Sequence, residues 1–459
     1  MGNPTQPVSD LTPPGLSPQK AVFEWLFVDL NSYFASVEQE RHPELRGKPV
    51  AVVPMLADTT CCIAASYEAK AFGVKTGTQV GEAKKMCPGL ILLEGDHRLY
   101  TEYHHRIVKA VERAVPVDSV LSIDEMACRL IGRERELTNA LFIAREVKLA
   151  IRAYAGESLR CSIGLAPNRF LAKIASDMEK PDGLIALPPD ILDSALRTLK
   201  LRDLPGVGRR MERRLNLQGI QTMDQLMDLD RPAMGQLWGG VQGERMWHLL
   251  RGADLTEEQF FGGEVEHAKS VGHSHILAPE LRTLDGAWGV AHKLLHKSAM
   301  RLRAAGLWSG RLTLYVRYVV PQNLAHSKHY SGIHQLGWSD WVRFAEAQTN
   351  ASLIRALTEL WLRRPNGSEY ERPFQVGLVL DELVPDQRHN FNLFESHEEE
   401  ERQGRLAKAM DRLNQRYGLS TVAPLAMLRT REAAPTRIAF TAIPELFEDT
   451  TPIPGTEEG

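Results

Sequence analysis

The sequence predicts an α+β protein of several domains, and three observations lead to that prediction. With 459 residues, the chain is too long for one ordinary hydrophobic core. Up to about residue 185, short apolar runs of strand character alternate with amphipathic helical segments. From Pro189 the pattern becomes short and helical, and a second mixed region begins near His267. We therefore expect two α+β regions joined by a helical one.

In the first region the expected elements follow one another closely. Strands are expected at residues 21–30, 49–54, 61–65, 120–130 and 160–165. Helices are expected at 32–40, from the end of the strand at 61–65 to Phe72, and at 79–86, 97–114, 138–154 and 168–180. Pro181-Asp182-Gly183 closes the last helix. In the second region the stretch HAKSVGHSH precedes a basic helix at 284–305, strands at 311–319 and 375–383, and helices at 351–362 and 405–417.

Composition and charge distribution restrict the class of protein. Hydrophobic residues make up 43% and charged residues 25%, as in soluble globular proteins. The net charge is −3, but ten Lys/Arg stand against three acids between Lys269 and Arg343, a local excess of +7 that suits a nucleic-acid partner. Five cysteines without CxxC spacing argue against disulfides and a zinc site. With no signal peptide or membrane span in the pattern, we expect a cytoplasmic protein.

Two adjacent acids, Asp124 and Glu125, lie within the apolar run VLSIDEMACRL, and Asp29 ends the apolar run at Phe23–Val28. Neighbouring side chains on a regular strand face opposite sides, so both acids can serve one site only where the strand ends or bends. Three carboxylates from two strands suit Mg²⁺, and two such ions can promote phosphoryl or nucleotidyl transfer. The alternative is that these are ordinary strand-end acids, solvated or salt-bridged.

Four motifs occur in one order along the chain: FVDLNSYFASVE, SYEAKAFGV, LSIDE and GLAPNRFLAKIASDMEKPDG. In these motifs the chain resembles the Y-family (translesion) DNA polymerases, with features of bacterial DNA polymerase IV and of the catalytic subunit of DNA polymerase V. The resemblance runs from about Phe23 to about Phe394. It implies a template-directed DNA polymerase for damage bypass. The alternative is a non-catalytic Y-family accessory protein that links a sliding clamp to another polymerase, although such proteins typically lack the three acids.

The resemblance implies the right-hand architecture of palm, fingers, helical thumb and α/β little finger. We expect a disordered tail at 1–20, a palm at 21–185 with fingers inserted at about 41–97, and a thumb at 186–253. A linker at 254–266 then leads to the little finger at 267–395. Residues 396–459 form a C-terminal extension, partly disordered, in which the segment APTRIAFTAIPELFED has no assigned role.

The resemblance also assigns roles around the metals. It implies that Asp29 and Asp124 bind two Mg²⁺ ions and that Glu125 binds mainly the ion at the primer terminus. The Leu30 carbonyl would complete the nucleotide-side ion. The reaction is attack of a primer 3′-hydroxyl on the α-phosphate of a dNTP, with release of pyrophosphate.

Four further residues match positions of the family that contact the nucleotide. Phe34 corresponds to the steric gate that excludes the 2′-hydroxyl of a ribonucleotide, with a purely packing role as the alternative. Tyr67 and Lys70 would bind the triphosphate, and Lys70 stands where polymerase IV relatives usually have Arg. Lys173 is the second cation expected on the triphosphate.

Several residues are expected to contact DNA. Gly206 and Gly208, in LPGVGRRMERRL, resemble a helix-hairpin-helix turn that lets backbone N–H groups approach a phosphate, and a plain helix–helix turn is the alternative. Lys269 and Ser270 match the start of the little finger, which touches template phosphates. Arg301 and Arg303 are expected to add to DNA affinity. His273 and His275 have the spacing of a metal pair, but exposed polar residues on a strand explain them better.

The stretch NFNLF, residues 390–394, occurs where polymerase V relatives carry a peptide that binds the sliding clamp. Leu393 and Phe394 match that peptide, whereas Asn replaces the leading Gln. A buried edge of the little finger is the alternative. The partners we expect are therefore primer-template DNA, dNTPs and a sliding clamp, with a chain that is monomeric and has no membrane partner.

Overall fold

The computed structural model describes residues 22–58, 60–255, 269–319, 335–389, 397–417 and 421–422. These residues form two compact units, the first ending before the gap at 256–268 and the second beginning after it. Each unit combines sheets and helices, which confirms the predicted α+β class. None of the helices in the described ranges has the length and hydrophobicity needed to cross a lipid bilayer.

The first unit is built around a five-stranded sheet. Its strands, in chain order, are β1 (Trp25–Leu30), β5 (Ser119–Val120), β6 (Glu125–Arg129), β7 (Cys161–Ala166) and β8 (Leu184–Ala186). Their spatial order is β5-β6-β1-β7-β8, and only the β7–β8 pair is parallel. Strand β1 is buried along its whole length because it is central, and it carries Asp29 near its end.

A smaller sheet in the first unit has the order β3-β2-β4, with β2 at Val50–Val53, β3 at Ala64–Ala65 and β4 at Ile91–Glu94. Two short helices, α2 (Tyr67–Ala71) and α3 (Val80–Met86), belong with it, and the small apolar side chains of this region form their own core. The strand predicted at 61–65 is therefore shorter than expected, since Cys61 makes only an isolated bridge to Gln79.

The remaining helices of the first unit fall into two groups. Those that accompany the large sheet are α1 (Tyr33–Arg41), α4 (His97–Val111), α5 (Leu137–Tyr154) and α6 (Arg169–Met178). A run of short helices follows, as the sequence predicts: α7 (Leu192–Arg197), α8 (Arg209–Leu217), α9 (Met223–Met227), α10 (Arg231–Trp238) and α11 (Val241–Leu249).

Two local features hold α6 against the large sheet, a cap at its first turn and a glycine on the strand beneath it. Asn168 caps the helix, because its side chain accepts a hydrogen bond from the Leu171 N–H at 2.8 Å. Gly164 on β7 allows close packing, since a Cβ there would lie 2.0 Å from the carbonyl oxygen of Ala172. Lys173, one residue further along α6, is thereby held against the sheet.

The second unit has one antiparallel sheet of order β11-β10-β12-β9. Its strands are β9 (Ser270–Ile276), β10 (Leu307–Val319), β11 (Gln335–Ala347) and β12 (Pro373–Pro385). Helices α12 (Leu284–Ala304) and α13 (Asn350–Leu362) share its apolar core. Helix α14 (His397–Tyr417) begins earlier than the sequence predicts, and β11 was not predicted.

One expectation in the second unit is wrong. Arg303 was expected to face DNA, but its side chain is only 3% exposed and forms a two-pronged ion pair with Asp411 of α14, at 2.6 and 2.8 Å. It also donates to the Gln348 carbonyl at 2.7 Å. Arg303 therefore attaches α14 to α12 instead of contacting a ligand.

Candidate active site

The acid-bearing run at 120–130 is two strands with a bend between them. Strand β5 ends at Val120 and β6 begins at Glu125, and the N–H groups of Leu121 and Ser122 both donate to the Glu125 carbonyl, at 2.9 and 3.2 Å. Asp124 lies in the bend, where Ser122 Oγ donates to its carboxylate at 2.6 Å. The prediction of a single strand at 120–130 is therefore wrong. The bend that two adjacent acids need in order to share one site is present.

Asp29 faces these two acids from β1. It is the direct register partner of Glu125, and the Leu30 N–H donates to the Asp124 carbonyl at 2.9 Å. Asp29 is 5% exposed. The three carboxylates line one cavity of about 330 Å³, together with Leu30 and Phe34.

Two lysines bind the acids of this cavity. Lys173 Nζ makes a close ion pair with Asp29 and lies 2.7 Å from Glu125 Oε1. Lys180 Nζ lies 2.7 Å from Asp29 Oδ1 and 2.7 Å from Asp177 Oδ1. Sequence reasoning had singled out Lys173 but missed Lys180. The signal available for Lys180 was its place in the motif that contains Lys173, just before the predicted helix stop.

Burial has the largest effect on the pKa of Asp124, and the neighbouring charges add to it or oppose it. Burial, with the added charges of Asp29 and Glu125, raises the pKa of Asp124 to about 6, against the opposing effects of Ser122 and Lys173. Burial alone would lower the pKa of Lys173, but attraction to Asp29, Glu125 and Asp177 raises it overall. Asp124 is therefore half protonated near pH 6 and mostly charged at neutral pH.

This donor set fits a divalent cation. Carboxylate oxygens are the hard ligands that Mg²⁺ prefers, and three carboxylates line this one cavity. Within the described ranges no three His, Cys, Asp or Glu side chains already surround a single point at ligand distance. The ammonium groups of Lys173 and Lys180 lie among the acids, so ion binding would require these side chains to rearrange.

Lys70 extends the positive charge of the cavity. Its Nζ donates to Ser32 Oγ at 2.6 Å and lies 4.3 Å from the centre of the Tyr67 ring. Burial, followed by repulsion from Lys180, lowers the pKa of Lys70. Ser32 has a φ of 51°, an uncommon left-handed conformation for a residue with a side chain. Lys70 and Ser32 line the cavity of the acids, whereas Tyr67 lines an adjoining cavity of about 340 Å³.

Phe34 is both a core residue and a wall of the cavity. Its side chain is 4% exposed, and its ring stacks on Tyr100 with 4.2 Å between ring centres. It also lines the cavity beside Asp29 and Asp124. The position of Phe34 therefore allows both interpretations, a steric gate beside the cavity and a packing residue in the core.

The residues expected at DNA are distributed over both units. Gly206 has a φ of +87°, which favours glycine, and Gly208 caps α8 with open space where a side chain would stand. In the second unit Lys269 and Ser270 are exposed at the start of β9. Leu393 and Phe394 lie outside the described residues.

The histidine pair on β9 shows no metal geometry. His273 is partly buried, and this burial, together with Lys297 and Arg301, lowers its pKa to about 4. Among the described residues, no other His, Cys, Asp or Glu side chains complete a set of three metal ligands with this pair.

Comparisons with known proteins agree with this arrangement. Residues 28–177 match the impB/mucB/samB family, 202–254 match the thumb domain of DNA polymerase-iota, and 268–393 match the impB/mucB/samB family C-terminal domain. The chain is 33% identical to DNA polymerase IV of Moorella thermoacetica over 395 residues, which cover 86% of this chain and 93% of that protein. It is 31% identical to DNA polymerase IV 1 of Halalkalibacterium halodurans over 401 residues, or 86% and 91% of the two chains.

Among solved structures, the fold is similar to that of the Y-family DNA polymerase chimera Dbh-Dpo4(243-245)-Dbh. The TM-score is 0.62 at 24% sequence identity, covering 79% of this chain and 99% of that one. This likeness concerns the fold.

Proposed function

This chain belongs to the Y-family of translesion DNA polymerases, and from that premise we propose that Asp29, Asp124 and Glu125 bind its catalytic metal ions. As a DNA-directed DNA polymerase it extends a primer with dNTPs along a template. Divalent-metal dependence is usual among its relatives, and we propose two Mg²⁺ ions. The observation that carries the proposal is the meeting of three carboxylates from β1, the bend and β6 in one cavity.

The acids would share the ions between them. Asp29 and Asp124 would contact both, Glu125 the ion nearer the primer, and the Leu30 carbonyl the ion nearer the nucleotide. Bound Mg²⁺ would supply Lewis-acid stabilisation of the attacking and leaving oxygens. The bend at Asp124 and the register pair of Asp29 with Glu125 bring the three carboxylates to one cavity, which would limit the reorganisation needed when the ions bind.

Lys70, Lys173 and Lys180 would bind the triphosphate. All three line the cavity of the acids, and Tyr67 packs against Lys70. Lys173 and Lys180 contact Asp29 in this structure, so metal binding at Asp29 would release their ammonium groups to phosphate oxygens. Phe34 would lie against the sugar of the dNTP. Lys180 is an addition to the residues expected from sequence.

For the DNA and its partners we propose the domain roles given by the resemblance. The large sheet would be the palm, the small sheet the fingers, and helices α7 to α11 the thumb. Gly206 and Gly208 of the thumb would lie near a DNA phosphate. The second unit would be the little finger, with Lys269 and Ser270 at template phosphates. Leu393 and Phe394 would bind a sliding clamp, and the chain would act as a monomer. Extension by Leu393→Ala/Phe394→Ala with and without loaded clamp tests the clamp proposal.

Template-directed synthesis itself is tested by primer extension with the purified chain and Mg²⁺. Four templates that differ in one base opposite the incoming nucleotide should each select the complementary dNTP, and a template carrying a damaged base should still support extension. Incorporation that ignores the template base would contradict the proposed function.

A further inference from the structure

A basic groove lies along helix α5 and is a separate cavity from the one that the acids and lysines of the candidate active site line. It is a cavity of about 320 Å³ formed by one face of α5 and by the segment that leads into β7. Arg145, Leu149 and Arg152 of α5 and Leu159 and Arg160 before β7 line it, and Lys148, Cys161 and Asp182 complete the wall. We call the first five of these residues the arginine groove.

The three guanidinium groups of the groove have no partner in the described part of the chain. No hydrogen bond or ion pair there involves the side chains of Arg145, Arg152 or Arg160, and all three residues are exposed. The neighbouring Lys148 differs, because its Nζ binds the Asp182 carboxylate and the carbonyls of Cys161 and Asp182, each at 2.7 Å. The groove therefore carries three positive charges that no acid of the described chain neutralises by contact.

Apolar side chains lie beside these charges. Leu149 is 57% exposed, and Phe142, two helical turns earlier on the same side of α5, is 61% exposed. A phosphate backbone would contact the arginines but gains nothing from an exposed phenylalanine and leucine. A peptide with acidic and large apolar residues would satisfy both features at once.

The chain itself contains such a peptide. Residues 443–449 read IPELFED. Three large apolar residues and three acids lie within these seven positions: Ile443, Leu446 and Phe447, and Glu445, Glu448 and Asp449. The acidic run at 398–401 lacks the apolar residues and belongs to α14, and the acids Glu457 and Glu458 also lack them. The segment 443–449 lies 21 residues beyond Val422, and an extended chain of that length reaches about 70 Å.

We propose that the C-terminal segment 443–449 of this chain binds the arginine groove. Glu448 and Asp449 would pair with Arg145 and Arg152, and Leu446 and Phe447 would cover Leu149 and Phe142. Several weak contacts of this kind suffice when the segment is tethered to the same chain, because the tether raises its effective concentration. This proposal is independent of the polymerase assignment.

Site-specific photo-cross-linking in the full-length chain tests the proposal. The photoreactive residue p-benzoylphenylalanine replaces Phe142 or, in a second variant, Leu149, and mass spectrometry identifies the linked peptide. We expect a link to residues 443–449 of the same chain, with a yield that does not change with protein concentration. The matched control places the reagent at Leu217, which is 76% exposed on the arginine-rich helix α8, and there we expect no link to this segment.

Charge reversal tests the pairing. Arg145→Glu with Arg152→Glu should lower the yield at Phe142 about fivefold or more, since two surface ion pairs become repulsive. Adding Glu448→Arg and Asp449→Arg should restore it, whereas Glu457→Arg with Glu458→Arg should have no effect in the wild-type groove. Three other outcomes would overturn the proposal: a link to residues 256–264, a link to a second copy with a concentration-dependent yield, or a link to an added single-stranded oligonucleotide instead of the segment. So would absence of any link from both positions to 443–449.

Discussion

The ammonium group of Lys180 lies 2.7 Å from Oδ1 of Asp29, although the two residues are 151 positions apart. Burial alone would lower the pKa of Lys180, but Asp29 and Asp177 raise it overall, so the lysine stays charged. If Asp29 binds metal as proposed, the charged ammonium group of Lys180 would become available to a phosphate oxygen of the substrate. We therefore propose a role for Lys180 in nucleotide binding, although it was not among the residues expected from the sequence.

The first prediction therefore concerns Lys180→Ala. We expect the KM for dNTP to rise about tenfold, the scale of one lost charge-assisted hydrogen bond, while primer-template affinity is unchanged. Steady-state kinetics of single-nucleotide incorporation measure this. Lys84→Ala is the matched control, because Lys84 forms an ion pair of similar length with Asp58 on the surface. A lower melting temperature with an unchanged KM would mean that Lys180 only balances charge.

The second prediction concerns pH and metal. Because the folded pKa of Asp124 is about 6 and its ordinary value is 3.8, the folded state binds the proton more tightly than the unfolded state. Protonation of Asp124 therefore adds to the free energy of unfolding, by at most about 3 kcal/mol. In EDTA this added stability is fully present below pH 3.8 and is lost as the pH rises through about 6.

Denaturant unfolding of wild type and Asp124→Asn from pH 4 to pH 7.5 measures this contribution. The stability of wild type relative to the variant should fall as the pH rises. Mg²⁺ should remove most of the difference above pH 6, because the ion stabilises the charged carboxylate. A pH-independent difference in both conditions would rule out an unsatisfied charge at Asp124.

A third prediction tests Phe34 at the nucleotide sugar. In Phe34→Ala, space opens beside the acids, so ribonucleotide incorporation should rise and the ratio of kcat/KM for dNTP over rNTP should fall about 100-fold. Deoxynucleotide incorporation should fall modestly. If the stacking on Tyr100 is the whole role of Phe34, both activities and the melting temperature should fall together with the ratio preserved.

The fourth prediction separates two arginines of α12. Arg303→Ala should cost about 3–5 kcal/mol of stability, because it leaves Asp411 without its buried partner. The salt dependence of DNA binding should not change. Arg301 is exposed, and Arg301→Ala should leave stability within about 0.5 kcal/mol of wild type while reducing the salt slope. Chemical denaturation and binding titrations at several salt concentrations give both quantities, and the reverse pattern would disprove the assignment.

The contrast between these arginines shows where sequence reasoning stops. Both were expected at DNA because α12 is basic, but the rotation of a helix depends on its tertiary partners. Asp411, which turns Arg303 inward, is 108 positions away in the sequence. Lys180 was missed for the same reason, since it follows α6 and its carboxylate partner Asp29 lies on β1.

Local patterns were more informative at the acids. Two adjacent carboxylates in an apolar run required an end or bend of the strand, and the bend lies at residues 121–124. Strand β11 was missed although Trp338, Val342 and Phe344 alternate with polar residues and pack on the core. The role of each acid still rests on the family resemblance.

The central claim is that Asp29, Asp124 and Glu125 form the metal site of nucleotidyl transfer. Single-turnover incorporation of one dNTP, measured for Asp124→Ala and Glu125→Ala alongside primer-template binding, tests it most directly. We expect a rate at least about 1000-fold lower for both variants, with DNA affinity within about twofold of wild type. Asp58→Ala, which removes a carboxylate from a surface ion pair, should react at the wild-type rate. Wild-type rates in both Asp124→Ala and Glu125→Ala would show that these acids are not the metal ligands of the reaction.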